Sequence, residues 1–301
     1  MAVVSGVYAA AITPRRESAE IDLAAVYELF DFLGRGGVDG IALMGSTGEF
    51  LHFPIDERNR LISLAVKRSS VPVLTGVGHS CLDGALELAR AAADAGAAGV
   101  LLLPPYFFRY GQDDVKQFYL RFAELFKNAA PVFLYNLPQF TSPIELDTAL
   151  ELLRTGEFAG IKDSSASREE LERLQAARAE RPFTLLVGHD ILFTRARTEG
   201  ADGIVSGTAS AVPELLVALD RAIVAGNDDR ARLLERRLQE FLSWIDRVPT
   251  PIIIRQAAAL RSLRVGEPAS PPGPQSRRVL DEFKDWFLDW LPTVLKESAN
   301  V

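Results

Sequence analysis

Pro131-Val132-Phe133-Leu134-Tyr135 and Phe158-Ala159-Gly160-Ile161-Lys162 decide the fold. Each run is apolar almost to its last residue. A strand with one wet face alternates polar and apolar residues, whereas a near-continuous apolar strand is buried on both faces, as in a parallel sheet covered by helices. Ile144–Leu153, between the two runs, has helical periodicity, so the unit reads strand, helix, strand. Both runs end on a polar group. A lysine closing such a strand must reach water, pair with an acid such as Asp163, or do chemistry. Desolvation favours its neutral form, which is a nucleophile toward carbonyl carbon.

The same rhythm extends along the chain. Six further apolar runs, Val7–Ile12, Gly40–Met44, Val71–Leu74, Gly99–Leu103, Phe183–Val187 and Gly203–Val205, make eight strands in all. Helical patterns separate them: Asp22–Leu33, Ile55–Lys67, Leu82–Ala95, Asp113–Lys127, Glu169–Ala179 and Ile191–Thr198, with Pro213–Ala225 after the last strand. Gly96, Gly156 and Gly200 stand where helix C-caps belong. Eight such units predict a (β/α)8 TIM barrel over residues 1–225. The rival, an open doubly wound sheet, carries a glycine-rich turn after its first strand, and Thr13-Pro14-Arg15-Arg16 is not one. Residues 226–301 read as a C-terminal helical extension of three helices, Arg230–Ile245, Ile252–Leu263 and Arg277–Val294, with a proline-rich connector at Glu267–Pro274. The last helix places Phe283, Trp286, Phe287 and Trp290 on one side, an apolar face expected to dock on the barrel.

Composition bounds the function. The 301 residues carry a net charge of −7, which argues against nucleic acid as a partner because phosphate binding needs a basic surface. Cys81 is the single cysteine, so neither an intrachain disulfide nor a cysteine-rich zinc site is expected. It is read as filling space at a helix start. His52, His79 and His189 lack metal-ligand spacing, although His189, at the seventh strand end, is a candidate pocket residue. No basic leader and no membrane-length apolar run is seen. A cytoplasmic protein without membrane contact is expected.

In a (β/α)8 barrel the site lies at the C-terminal ends of the strands. Gly45-Ser46-Thr47-Gly48-Glu49 follows the second strand, and its hydroxyls and amides suit a carboxylate. Tyr135 and Lys162 end the fifth and sixth strands. Arg255 is expected to form a structural ion pair.

With Leu103-Pro104-Pro105-Tyr106, Tyr135-Asn136-Leu137-Pro138 and Gly160-Ile161-Lys162-Asp163, these motifs resemble the dihydrodipicolinate synthase / N-acetylneuraminate lyase superfamily of class I pyruvate aldolases, over nearly the whole chain. The resemblance implies that Lys162 forms a Schiff base with a 2-oxo acid, and that Tyr135 moves protons. It implies that Ser46, Thr47 and Gly48 hold the carboxylate, with Thr47 orienting the Tyr135 hydroxyl. It implies no metal or organic cofactor, and a homotetramer built as a dimer of dimers, or a dimer. The aromatic loop Tyr106–Tyr110 is a candidate contact.

Departures from the family narrow the substrate. Phe140 stands where a dihydrodipicolinate synthase is expected to have an arginine, and Phe107 where it has a second tyrosine. Gly188 and Asp190 match a sialic acid lyase, but Ile191 and Gly207 replace an expected glutamate and serine. Asp190, Ser165 and Ser206 remain to meet one or two hydroxyls beside an apolar wall at Phe140. The expected reaction is therefore cleavage of a 2-keto-3-deoxy sugar acid to pyruvate and an aldehyde. The alternatives are dihydrodipicolinate synthase itself, a keto-deoxy sugar-acid dehydratase, or a barrel that binds a sugar acid without turning it over. A phosphate-binding isomerase would want a fuller anion site than Gly207-Thr208.

Overall fold

A computed structural model describes residues 4–299. Eight parallel strands close a barrel in chain order: β1 (Gly6–Ala10), β2 (Gly40–Leu43), β3 (Val73–Gly76), β4 (Gly99–Leu102), β5 (Val132–Asn136), β6 (Gly160–Asp163), β7 (Thr184–Val187) and β8 (Gly203–Ser206). Crossover helices alternate with them: α1 (Leu23–Arg35), α2 (Ile55–Arg68), α3 (Leu82–Ala95), α4 (Gln112–Phe126), α5 (Leu146–Thr155), α6 (Arg168–Ala177), α7 (Phe193–Thr198) and α8 (Pro213–Val224). The expected TIM barrel is the observed fold. Asp22 caps α1 by accepting from the Ala25 amide, and Gly96 and Gly156 end α3 and α5 in the left-handed conformation. The helix expected from Ile191 differs: a 3-10 turn, Asp190–Leu192, precedes α7.

Strand alternation divides the core. Leu101, Leu103, Phe133, Tyr135 and Leu186 belong to one apolar cluster, whereas Val100, Leu102, Val132, Leu134, Ile161, Leu185 and Val187 join the cluster with α3, α4 and α5. Period-two alternation thus separates the residues pointing into the barrel from those facing the helices. Lys162 has the opposite parity to Ile161 and pairs in register with Tyr135 on one side and Leu186 on the other. The two polar strand ends therefore meet inside the barrel mouth.

Beyond β8 and α8 lie α9 (Asp228–Ile245), α10 (Ile252–Leu260) and α11 (Pro274–Ala299). The last helix starts with the proline of the connector, whose missing N–H and fixed φ suit a first turn. Phe241 of α9 packs edge-on to Phe283 at 6.0 Å, and Trp286 stacks on Trp290 at 5.0 Å. Phe241, Phe283, Phe287 and Trp290 belong to the same buried cluster as β1 and α1, so the helices are docked on the barrel.

Candidate active site

The loop after β2 is held by its own backbone and one buried ion pair. Met44 and Glu49 both take positive φ, 54° and 51°, a conformation that non-glycine residues adopt only when their surroundings enforce it. The Glu49 carboxylate is fixed by Arg255 of α10 at 2.9 Å, with both side chains buried. Arg255 also donates to the carbonyls of Thr13, Val265 and Gly266, so its expected structural role is the observed one. Gly48 turns its carbonyl to Thr13 Oγ1 at 2.7 Å, and a Cβ there would press on Ala11, Met44 and Thr13. Its place is in the packing beneath the loop.

Lys162 is 4% exposed and Tyr135 1%. Lys162 Nζ lies over the Tyr135 ring, 3.9 Å from its centroid. The neighbouring acid is occupied elsewhere. Asp163 accepts from Asn136 Nδ2 at 2.8 Å and Ser165 Oγ at 2.7 Å. Burial raises its pKa against those hydrogen bonds. Asn136 Oδ1 in turn accepts from the Ile144 amide, which ties the loop after β5 to β6. The Tyr135 hydroxyl meets Ser46 Oγ at 3.3 Å, so Ser46, and not Thr47, is its hydrogen-bond partner.

Above this pair lies a cavity of about 210 Å³. Ser46, Thr47, Phe140, Gly188, Asp190 and Gly207 line it together, and His189 does too. Lys162 and Tyr135 lie just below its wall: a Cβ on Gly188 would come 2.9 Å from Lys162 Cε and 2.0 Å from Ser164 Oγ. Gly207 leaves room for Ile254 in the same way. A second cavity, about 240 Å³, shares Ser46, Leu137 and Phe140 and is closed by Phe50, Leu103 and Tyr106. Tyr106 packs edge-on to Phe50 beside Arg58, whose guanidinium burial pulls down to about 10.

Three expectations change. Ser206 does not face the cavity. It is fully buried, donates to Asp190 Oδ2 at 2.9 Å and accepts from the Ala209 amide, so it braces Asp190. Asp190 Oδ2 also accepts from the hydroxyl and amide of Thr208. Burial raises its pKa, opposed by those hydrogen bonds. One carboxylate oxygen is therefore spent on the loop after β8. Cys81 is exposed at the N-cap of α3, its Sγ 3.2 Å from His79 Nδ1, because its side chain points away from the helix–barrel seam.

The part that sequence reading missed is the far wall. Leu242, Ile245 and Asp246 from the end of α9, with Thr250 and Ile254, complete the cavity. Ser164 and Gln139 were also missed; Gln139 donates to the Ser164 carbonyl at 3.2 Å. A polar residue beside the strand-end lysine was the only sequence signal for Ser164. Among the described residues no group of three or more His, Cys, Asp or Glu that could hold a metal is present, and no helix is long and apolar enough to cross a membrane.

A profile described as the dihydrodipicolinate synthetase family matches residues 3–287. The chain belongs to this family. Among the relatives of this family member, a 4-hydroxy-tetrahydrodipicolinate synthase of Chlorobium limicola is 31% identical over 290 residues, covering 93% of this chain and 96% of that one. One from Methanothrix thermoacetophila is 30% identical over 282 residues, with 93% and 95% covered. A solved structure of a prophage protein of the dihydrodipicolinic acid synthase family from E. coli K12, in complex with pyruvate, superposes with a TM-score of 0.88 at 25% identity, covering 96% of this chain and 99% of that one. As a family member the chain is an enzyme of the Schiff-base-forming, class I lyase type.

Proposed function

We propose that Lys162 attacks the ketone of pyruvate, or of a 2-oxo acid that yields pyruvate, and carries it as a protonated Schiff base. The observation behind this reading is the buried amine 3.9 Å from the centre of the Tyr135 ring, with Asp163 engaged by other partners. The iminium draws electrons from the adjacent carbon, so no separate electron sink is needed. Ser46 and Thr47 bind the carboxylate, and Tyr135, oriented by Ser46, moves protons during Schiff-base formation. Gly188 leaves space for the bound acid next to Lys162 Cε. Borohydride reduction in the presence of pyruvate tests this directly. Wild-type protein should gain a stable adduct on Lys162, and folded Lys162→Ala should gain none.

For the second substrate, the names of relatives at about 30% identity favour aspartate semialdehyde, the synthase reaction, over the keto-deoxy sugar acid. One observation favours the sugar acid. Phe140, 59% exposed, lines both cavities at the position where an arginine was expected to grip the semialdehyde carboxylate, and no arginine or lysine lines either cavity among the described residues. Pyruvate consumption with aspartate semialdehyde, and with glyceraldehyde, separates the two readings. A cytoplasmic homo-oligomer, dimer or tetramer, remains part of the proposal. Phe107 and Phe108, 87% and 66% exposed in the loop after β4, support a contact there, which sedimentation can test.

A further inference from the structure

Two polar atoms in the wall of the first cavity are enclosed without a hydrogen-bond partner: Ser164 Oγ and His189 Nδ1. Gly188 lies between them in space or sequence: its missing Cβ would touch Ser164 Oγ, and His189 is the next residue. Unpaired buried polar atoms are destabilising and uncommon, and they gather where a ligand completes them. Lys162 Cε borders the same glycine.

The cavity has two ends. Ser46 and Thr47 form one. Gly188 and His189 after β7, with Leu242 and Asp246 from α9, form the other. The Tyr135 hydroxyl is at the first end, bonded to Ser46. On the reading proposed above, on which this inference rests, the carboxylate of pyruvate occupies that first end. The aldehyde then approaches from the second, where His189 is the titratable side chain with an open ring nitrogen.

We infer that His189 is a further catalytic residue, which protonates the aldehyde oxygen as the carbon–carbon bond forms. The enamine carbon attacks the carbonyl carbon, the carbonyl π pair moves onto oxygen, and that oxygen takes the imidazolium proton. The Lys162 iminium is regenerated in the same step. In cleavage the neutral imidazole removes the hydroxyl proton, and the broken bond's electrons return to the iminium. The groups facing the ring are Lys162 and Asp163 from β6, the adjacent Asp190, and Asp246 from α9. Attraction to a charged His189 lowers the pKa of both Asp163 and Asp190, so both carboxylates favour the imidazolium the step requires.

His189→Asn keeps a hydrogen-bonding group near the Nδ1 position but cannot titrate. Two reactions are followed in wild type and variant. One is exchange of the pyruvate methyl protons in D2O, which needs the Schiff base but no aldehyde. The other is condensation of pyruvate with glyceraldehyde or with aspartate semialdehyde across pH. The variant should retain the exchange, which also shows that it is folded. Its condensation kcat should fall about a hundredfold, and the pH profile should lose a titration that wild type shows. Unchanged condensation in the variant, or condensation falling in step with exchange, overturns the inference. So does a wild type that exchanges pyruvate protons but condenses neither aldehyde. A wild type that neither exchanges nor traps pyruvate removes the underlying lysine chemistry instead.

Discussion

At the residue scale, two buried acids set a pH dependence that can be signed. Asp163 and Asp190 both have their pKa raised above the ordinary carboxylate value of 3.8, chiefly by burial. The folded state therefore holds their protons more tightly than the unfolded chain does. Between 3.8 and the raised values the native state binds more protons, so these groups lose stabilising effect as pH rises through that window. Asp190→Asn cannot ionise, yet its side-chain oxygen still accepts from Ser206 and Thr208. Thermal melts from pH 4 to 8 should show a smaller decline, or a larger rise, with pH in Asp190→Asn than in wild type. Phe140 gives a second prediction at this scale. Phe140→Arg would supply the missing cation, and one charge-assisted hydrogen bond is worth about 1.5–3 kcal/mol. The KM for aspartate semialdehyde should fall about tenfold, the low end of that range, because the site is partly exposed. The KM for an uncharged aldehyde should not fall.

At the element scale, the loop after β2 and helix α10 are one unit through Glu49 and Arg255. Removing one member of a buried, hydrogen-bonded ion pair costs about 3–5 kcal/mol, because the other charge is stranded. Arg255→Leu should lower the unfolding free energy by that amount in urea titrations, and adding Glu49→Leu should restore part of it. Which elements form was legible beforehand, since near-continuous apolar runs and helical periodicity encode them locally. The meeting of Tyr135 with Lys162 was also within reach, because both end consecutive strands of one barrel. Ser206 was not. As the last residue of β8 it belongs to the strand-end ring that reads as substrate-facing, and only the fold shows Asp190 packed over it. Leu242, Ile245 and Asp246 were hidden for a different reason. Periodicity says that a helix buries a face, but not that its final turn overhangs a cavity built by residues much earlier in the chain.

At the scale of the whole molecule, the three C-terminal helices share their buried aromatic residues with the first strand and first helix of the barrel. We propose that barrel and extension unfold together. Phe283→Ala, in a fully buried position, should lower stability by about 3–5 kcal/mol. Urea unfolding followed by tryptophan fluorescence, which reports α9 and α11, and by far-ultraviolet circular dichroism, which reports all helices, should give coincident transitions for wild type and variant. Separate midpoints would show two independently folding parts.

The overhanging turn of α9 has an evolutionary corollary. Residues 242–250 border the pocket yet belong to no strand, so they can drift or be grafted from a relative without disturbing the lysine or its tyrosine. New preferences for the incoming aldehyde can thus arise outside the barrel while the reacting amine stays untouched. Chimeras exchanged over that segment alone are the natural place to look for them.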